Sequence, residues 1–335
     1  MKTILITGAT GFLGTHLVDQ LGREEPETKL RLLCRSGRPG ALSSPIEVVP
    51  GDITSAQDVL EAAAGVSEVY HLAGVVQRDP KDPALLNRVH VEGTRNVCEA
   101  IREQGVSKAV LVSSSGTVAV GRTPEVRDEE SGYAVDAVGE WPYYTSKIYA
   151  EKLALRYFEQ ERLPIVIVNP SLLLGPGDDR ESSTGDVALF LDGQIMAVPS
   201  GGLNLVDARD AAAGLIAAMK RGRPGERYIL GGPNWTFREW IARTAQLSGL
   251  KAPSLQPPLW AALWSGRILR RVLPLAGKSF KLDDASIKMS AMFWYCDSSK
   301  AKRELGFETR DPMITLRETI EDIRRRRSCQ SPERK

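Results

Sequence analysis

Short apolar runs alternate with amphipathic stretches through the first half of the chain. The runs are Ile4 to Ile6, Leu30 to Leu33, Val48 to Val49, Val69 to Ala73, Ala109 to Val112 and Ile165 to Val168. Between them, apolar positions recur at helical spacing near residues 12–22, 55–64, 84–104 and 143–161. Strand, helix, strand in steady alternation predicts an α/β fold, a doubly wound parallel sheet with helices on both faces. Crossovers in such a sheet are right-handed, so ligands settle beyond the C-terminal strand ends where the winding reverses.

After Pro170 the pattern changes. Residues 175–185 are dense in Gly, Pro, Asp and Ser and predict a loop; a return segment follows at Leu203 to Val206, and the remainder reads as helices cut short at Pro253, Pro257, Pro258 and Pro274. The expected division is a first domain over 1–170, rejoined by 203–232; a smaller, mostly helical lobe from 171–202 and 233–325; and a polar tail over 326–335. The basic run Arg324 to Arg327 reads as part of a solvated, poorly ordered terminus. Trp235, Trp240, Trp260, Trp264 and Trp294 fall in the lobe and read first as its packing and second as the lining of an apolar pocket. The segment from Leu259 to Leu275 is amphipathic but interrupted by Arg267, Arg270 and Arg271, so it is not a spanning helix. It reads first as core or pocket packing and second as a weak membrane-surface contact through 259–275.

Composition narrows the class. The 335 residues suffice for a large core, and a formal net charge of +2, spread without a basic stripe, argues against a nucleic-acid partner. Cys34, Cys98, Cys296 and Cys329 lie far apart, and His16, His71 and His90 show no ligand spacing, so no metal site is expected. Free thiols and an N-terminus that becomes a strand within a few residues predict a cytoplasmic location.

Candidate chemistry begins directly behind the first apolar run, at Thr7-Gly8-Ala9-Thr10-Gly11-Phe12-Leu13-Gly14. Spaced glycines between a strand and a helix bring bare backbone N–H groups and a helix N-terminus against a pyrophosphate, which predicts a dinucleotide site and makes the first domain a Rossmann domain. Gly8 serves the tight turn, Gly11 the close approach of the phosphates and Gly14 the packing of helix on strand.

A second constellation follows. Tyr143 and Lys147, four residues apart behind Trp141-Pro142, share one face of a helix that starts at the proline. A phenol ordinarily titrates near about 10, so acting as an acid or base near neutrality needs a downward shift of about three units, or about 4 kcal/mol. The Lys147 ammonium would act in that direction. Upstream, the run Ala109 to Val112 leads into Ser113-Ser114-Ser115-Gly116-Thr117, where one hydroxyl can hold a substrate carbonyl while Tyr143 protonates it. Serine, tyrosine and lysine set over a dinucleotide make hydride-transfer chemistry.

With these motifs the chain resembles the extended short-chain dehydrogenase/reductase family, also called the NAD-dependent epimerase/dehydratase superfamily, over roughly residues 2 to 325. The resemblance rests on the glycine turn, Gly51-Asp52-Ile53, Tyr70-His71-Leu72-Ala73-Gly74, Glu92-Gly93-Thr94-Arg95-Asn96-Val97, the serine run, Tyr143 and Lys147 with Ala150-Glu151, and Gly175-Pro176-Gly177. It implies that Ser115, with Ser114 in reserve, joins Tyr143 and Lys147 in catalysis. It further implies that the dinucleotide is held by Thr7, Gly8, Gly11, Phe12, Leu13 and Gly14, by Asp52 and Ile53 at the adenine, and by Ala73 and Gly74 along the channel. Tyr143, Lys147 and Pro170 complete that set, with Lys147 on the nicotinamide ribose hydroxyls. A homodimer through the helices at 84–104 and 143–161 is implied as well. His90 stands where many relatives have Asn, and reads as a tolerated helix residue or, alternatively, as a changed water or proton relay.

Departures from the pattern address specificity. At the end of the second strand, where NAD enzymes carry an acid for the ribose hydroxyls, the chain has Cys34-Arg35-Ser36-Gly37-Arg38; Arg35 and Ser36, with help from Arg38, suit a 2′-phosphate and favour NADP(H) over NAD(H). Where nucleotide-sugar members carry Arg-Pro-x-Asn and Arg-Asp, this chain has Asn169-Pro170-Ser171-Leu172 and Leu203-Asn204. A diphosphate without cationic partners costs several kcal/mol to bury. The resemblance is instead to the dihydroflavonol-reductase-like branch, next to the hydroxysteroid dehydrogenases. It implies an NADP(H)-dependent enzyme that reduces a ketone of a small apolar or aromatic molecule, or oxidises the alcohol. The alternatives are a nucleotide-sugar epimerase or dehydratase and a non-catalytic NADP-binding redox sensor, although such sensors commonly lose the tyrosine or lysine.

Overall fold

A computed structural model describes residues 2–35, 45–77, 82–276 and 280–330. The chain opens with β1 (Thr3–Thr7), α1 (Phe12–Glu24), β2 (Lys29–Cys34), β3 (Ile46–Pro50), α2 (Ala56–Ala63) and β4 (Glu68–His71). Next, α3 (Pro83–Asn87) runs through a π-helical turn, Arg88–Glu92, into α4 (Gly93–Gln104), followed by β5 (Lys108–Val112), α5 (Val135–Val138), α6 (Pro142–Glu161) and β6 (Ile165–Pro170). These strands make one parallel sheet, completed by a later strand beside β6. Its order from β3 is β2, β1, β4, β5, β6, and the winding reverses between β1 and β4.

Alternate residues of each strand feed opposite cores. Ile4, Ile6, Leu30, Leu32, Val110 and Val166 pack with α1 on one face, and Leu5, Leu33, Val69, Ala109, Leu111 and Ile167 pack with α2 and α4 on the other. Full burial of one such side chain is worth about 1.5–3 kcal/mol, which explains why both faces of each run are apolar.

The second half contains β7 (Leu172–Leu174), α7 (Gly185–Leu191), β8 (Gly202–Asp207), α8 (Ala208–Arg221), β9 (Arg227–Leu230), β10 (Asn234–Thr236) and α9 (Phe237–Ser248). It ends with α10 (Leu259–Val272), α11 (Asp284–Met289), α12 (Ser299–Leu305) and α13 (Pro312–Gln330). Strand β9 is the one that extends the main sheet beside β6. The return segment does not behave as expected: β8 pairs with β7 and antiparallel with β10 in a separate three-stranded sheet, so the chain rejoins the main layer only with α8 and β9. Small-sheet residues Leu174, Leu205 and Trp235 close a third core with Phe190, Trp240 and Leu316.

The terminus also differs from expectation. Arg324 to Arg327 lie inside α13, whose Leu316, Ile320 and Ile323 are fully buried, and so the expected boundary at 326 falls within a helix. Asp322 pairs with Arg325 and, at 3.0 Å, with Arg326, while Arg327 reaches Asp192 at 2.8 Å. The apolar period of this helix is hidden in the sequence by its charges. Among the described residues, no helix is long and apolar enough to cross a membrane.

Candidate active site

The reversal point is built by backbone fit. Gly8 has φ +74°, and a Cβ there would come within 2.6 Å of the Leu72 carbonyl carbon, so only glycine lets the β1 and β4 exits approach. Thr7 fastens them: its hydroxyl accepts from the Ala73 N–H at 3.2 Å and shares a hydrogen bond with His71 Nδ1 at 2.7 Å. His71 Nε2 then faces Thr94 Oγ1 at 3.3 Å. Burial, seconded by the Lys147 charge, holds His71 down at about 3, so the ring is neutral near pH 7.

Helix α1 begins at Gly11 with no side-chain cap and no acidic residue in its first turn. Its N–H groups and positive dipole end are left for an anion. A Cβ on Gly14 would lie 2.2 Å from the Gly8 carbonyl oxygen, whereas one on Gly11 would meet only that oxygen, at 3.2 Å, and otherwise fill the cavity. This cradle fits the pyrophosphate of a dinucleotide. Gly8, Gly11, Phe12, Leu13, Gly14, Arg35, Gly74 and Pro170 all line the same cavity, of about 1040 Å³. Thr7 and Ala73 stand behind its wall. Asp52 binds the Thr54 N–H and hydroxyl through one carboxylate oxygen, and Ile53 is buried against Gly93. Neither Asp52 nor Ile53 is in the wall formed by the described residues. Ser36 and Arg38 lie outside the described residues.

The same cavity is lined by Tyr143, Lys147, Ser113, Ser114 and Ser115. Of the three serines, Ser114 is the one whose side chain pulls on the Tyr143 phenol; Ser115 is buried at the start of the next turn and lines the cavity beside it. Lys147 does not acidify the phenol as the sequence suggested. Its ammonium donates to the Val112 carbonyl at the end of β5, at 3.0 Å, and burial lowers it to about 8. Burial and the neighbouring Tyr144 instead push the phenol well above its usual range, against the Ser114 bond.

His90, read as a tolerated helix residue or a changed relay, is closed off from solvent. It sits fully buried in the π-helical turn, a feature often found at functional sites. Nε2 accepts from the Val75 N–H at 3.0 Å, so the proton is on Nδ1, which donates to Ser146 Oγ at 2.8 Å. Ser146 in turn donates to the Tyr143 carbonyl at 2.8 Å. The ring thus ties the β4 exit to the first turn of α6, edge-on to Tyr143 at 5.7 Å. Burial and the Lys147 charge lower it to about 2, leaving it neutral.

The cavity wall also carries a set of apolar side chains from the second half of the chain, Leu203, Phe237, Ile241, Leu269, Ile287 and Trp294. Asn204 offers no amide to a ligand. Its Nδ2 donates to Gly232 O at 2.9 Å and Asn234 Oδ1 at 2.7 Å, and its Oδ1 accepts from Gly232 N at 3.0 Å. Two buried polar atoms in the wall residues, Ser171 Oγ and Trp240 Nε1, have no hydrogen-bond partner among the described residues. The loop residues Asp179, Arg180 and Glu181 add charges of mixed sign.

The pattern of the NAD dependent epimerase/dehydratase family matches residues 4–231. The chain belongs to this family. It is 36% identical over 325 residues to a Synechocystis protein described as "Putative dihydroflavonol 4-reductase", covering 95% of this chain and 92% of that one. It is 31% identical over 310 residues to "Sterol demethylase protein B" of Methylococcus capsulatus, covering 91% and 93%. Among solved structures, gox2253 superposes with a TM-score of 0.82 at 29% identity, covering 97% of this chain and 99% of that one.

For a member of the epimerase/dehydratase family, the least legible part of the site is what holds α6 in place. Glu151 is fully buried and accepts from Thr117 Oγ1 at 2.7 Å, Asn169 Nδ2 at 2.8 Å and Arg227 Nε at 3.0 Å, as well as from Ser113 Oγ. One carboxylate therefore joins α6 to the ends of β5, β6 and β9. Its only sequence signal is the Ala150-Glu151 pair behind the Tyr/Lys motif. Tyr144 is the other omission. It stacks on Trp294 at 5.0 Å over Gly116, where a Cβ would meet the Tyr144 ring at 2.3 Å.

Proposed function

We propose that the protein is an NADP(H)-dependent oxidoreductase that reduces a ketone on a small, largely apolar molecule to the alcohol. The reading is carried by one observation: the glycine cradle, the Tyr143–Ser114 pair and an apolar chamber share a single cavity. The family description and the reductase and dehydrogenase relatives support it. Bound NADPH would supply a hydride to the carbonyl carbon.

The chain's residues supply the rest. Gly8 to Gly14 hold the pyrophosphate, and the exposed Arg35 guanidinium at the end of β2 pairs with a 2′-phosphate. Lys147, held by Val112, presents its ammonium to the ribose hydroxyls. Tyr143 gives its proton to the carbonyl oxygen as the alcohol forms, and the serine hydroxyl steadies that oxygen. Leu203 and the internally engaged Asn204 supply no cation or free amide at the two positions where nucleotide-sugar members carry Arg-Asp.

The test is Tyr143→Phe. It is expected to keep the wild-type Kd for NADPH while turnover with sterol or flavanone ketones falls by about 10²–10⁴. Unchanged turnover would reject the assignment.

A further inference from the structure

Helix α10 has two apolar faces. The inward face, through Leu259, Ala262 and Leu269, lines the cavity. The outward face leaves Trp260 70%, Trp264 66%, Ile268 53% and Val272 53% exposed, and Leu275, just past the helix end, 88% exposed. Spacings of four and three residues place these side chains in one stripe. Scattered exposed apolar residues need no explanation, but a continuous row rimmed by charge marks an interaction surface. The sequence reading assigned both tryptophans to packing, yet they face outward.

The charges on the helix indicate what covers it. Arg267, Arg270 and Arg271 are all cationic, and the helix carries no carboxylate. Asp284 takes Arg267 at 2.8 Å and also Arg270, whereas Arg271 is exposed on the stripe between Ile268 and Leu275 without an acidic partner among the described residues. Indole rings are amphipathic and favour the boundary between headgroups and acyl chains, and arginine reaches phosphates while its stem lies on apolar surface. A second copy is a poorer occupant, because a two-fold contact would set this cationic row against itself.

We infer that α10 docks the protein on an anionic phospholipid bilayer, lying in the interface plane with the Trp260–Leu275 stripe inserted. The cavity is then about one helix diameter, about 10 Å, from the lipid surface. An apolar ketone can pass between them with little exposure to water. That consequence rests on the reductase reading; the docking does not.

The experiment is flotation of the full chain with vesicles of phosphatidylcholine alone or mixed equally with phosphatidylglycerol, using brominated lipid to quench tryptophan. Wild-type protein should float with the anionic vesicles, about tenfold less with the neutral ones, and be quenched by bromine. W260S/W264S, whose side chains lie outside the cavity wall, should lose flotation and quenching by about tenfold or more while reducing a water-miscible ketone at the wild-type rate. Wild-type protein that stays at the bottom, or a double variant that floats equally well, overturns the proposal. So does a stripe that only converts dimer to monomer in light scattering. Flotation without any ketone reduction would leave the docking standing and reject the reductase reading.

Discussion

Tyr143 and Lys147 divide their work differently from the simple picture of a cation acidifying a phenol. The phenol is raised by burial, while Lys147, bonded to Val112, is lowered to about 8. The titration that matters near neutrality is therefore the lysine's. As pH rises through about 8 the ammonium is lost, and kcat/KM for NADPH should fall about tenfold per pH unit. No acid limb from histidine should appear between pH 5 and 7, since His71 and His90 are already neutral there. A pH–rate profile on the wild type checks both. For stability, Lys147 has a folded pKa below its unfolded 10.5, so its contribution is present above 10.5 and lost as pH falls through about 8. That gap corresponds to roughly 3 kcal/mol, partly offset by the bond to Val112. Lys147→Met should accordingly be no less stable than wild type in urea at pH 7, though inactive. The two serines can be separated in the same assay: Ser114→Ala should cost more turnover than Ser115→Ala, because Ser114 is the serine that acts on the phenol. The motif made the serine run legible. It did not show which hydroxyl turns toward residue 143, since that depends on where β5 gives way to the following turn.

At the scale of elements, α6 is placed by buried polar bonds as much as by apolar packing. Glu151→Ala would leave Arg227, Asn169 and Thr117 facing a gap and should cost about 3–5 kcal/mol, read as a lower urea midpoint. Glu151→Gln keeps the shape but loses the charge pairing, and should fall between. The π-helical turn has a pH signature of its own. His71 and His90 have folded pKa values below 6.5, so the stability they contribute is present above 6.5 and lost progressively as pH falls toward about 3 and 2. His90→Asn should reduce that acid sensitivity in a pH series of thermal melts. Repeating apolar runs made six of the seven strands and their helices readable in the sequence, because the central runs must be dry on both sides. The π turn was not readable, since α3 and α4 share one apolar face and only coordinates reveal the extra residue. Nor was the pairing of β8, whose apolar run suits either sheet.

Across the whole molecule, a reversed winding order brings the β1 and β4 exits together, and the second half of the chain roofs the resulting crevice. The Gly8 turn, Lys147 and Tyr143 come from separate stretches of sequence, yet motif spacing already indicated that they share a site. The chamber beyond them was visible only as missing residues, Leu203 and Asn204 in place of charge. Its walls come from α9, α10 and α11, which carry no motif. In α13, charges concealed the buried Leu316, Ile320 and Ile323. Arg35 is the whole-molecule reading most open to trial: Arg35→Ala should raise KM for NADPH by about tenfold or more and leave KM for NADH nearly unchanged. The central claim is net reduction of a ketone in this cavity. It is tested most directly by supplying NADPH deuterated at the transferring C4 position and recovering the product. The account predicts one NADPH oxidised per alcohol, with a single deuterium on the carbinol carbon. Cofactor recovered unoxidised, with a sugar nucleotide epimerised or dehydrated instead, would contradict it.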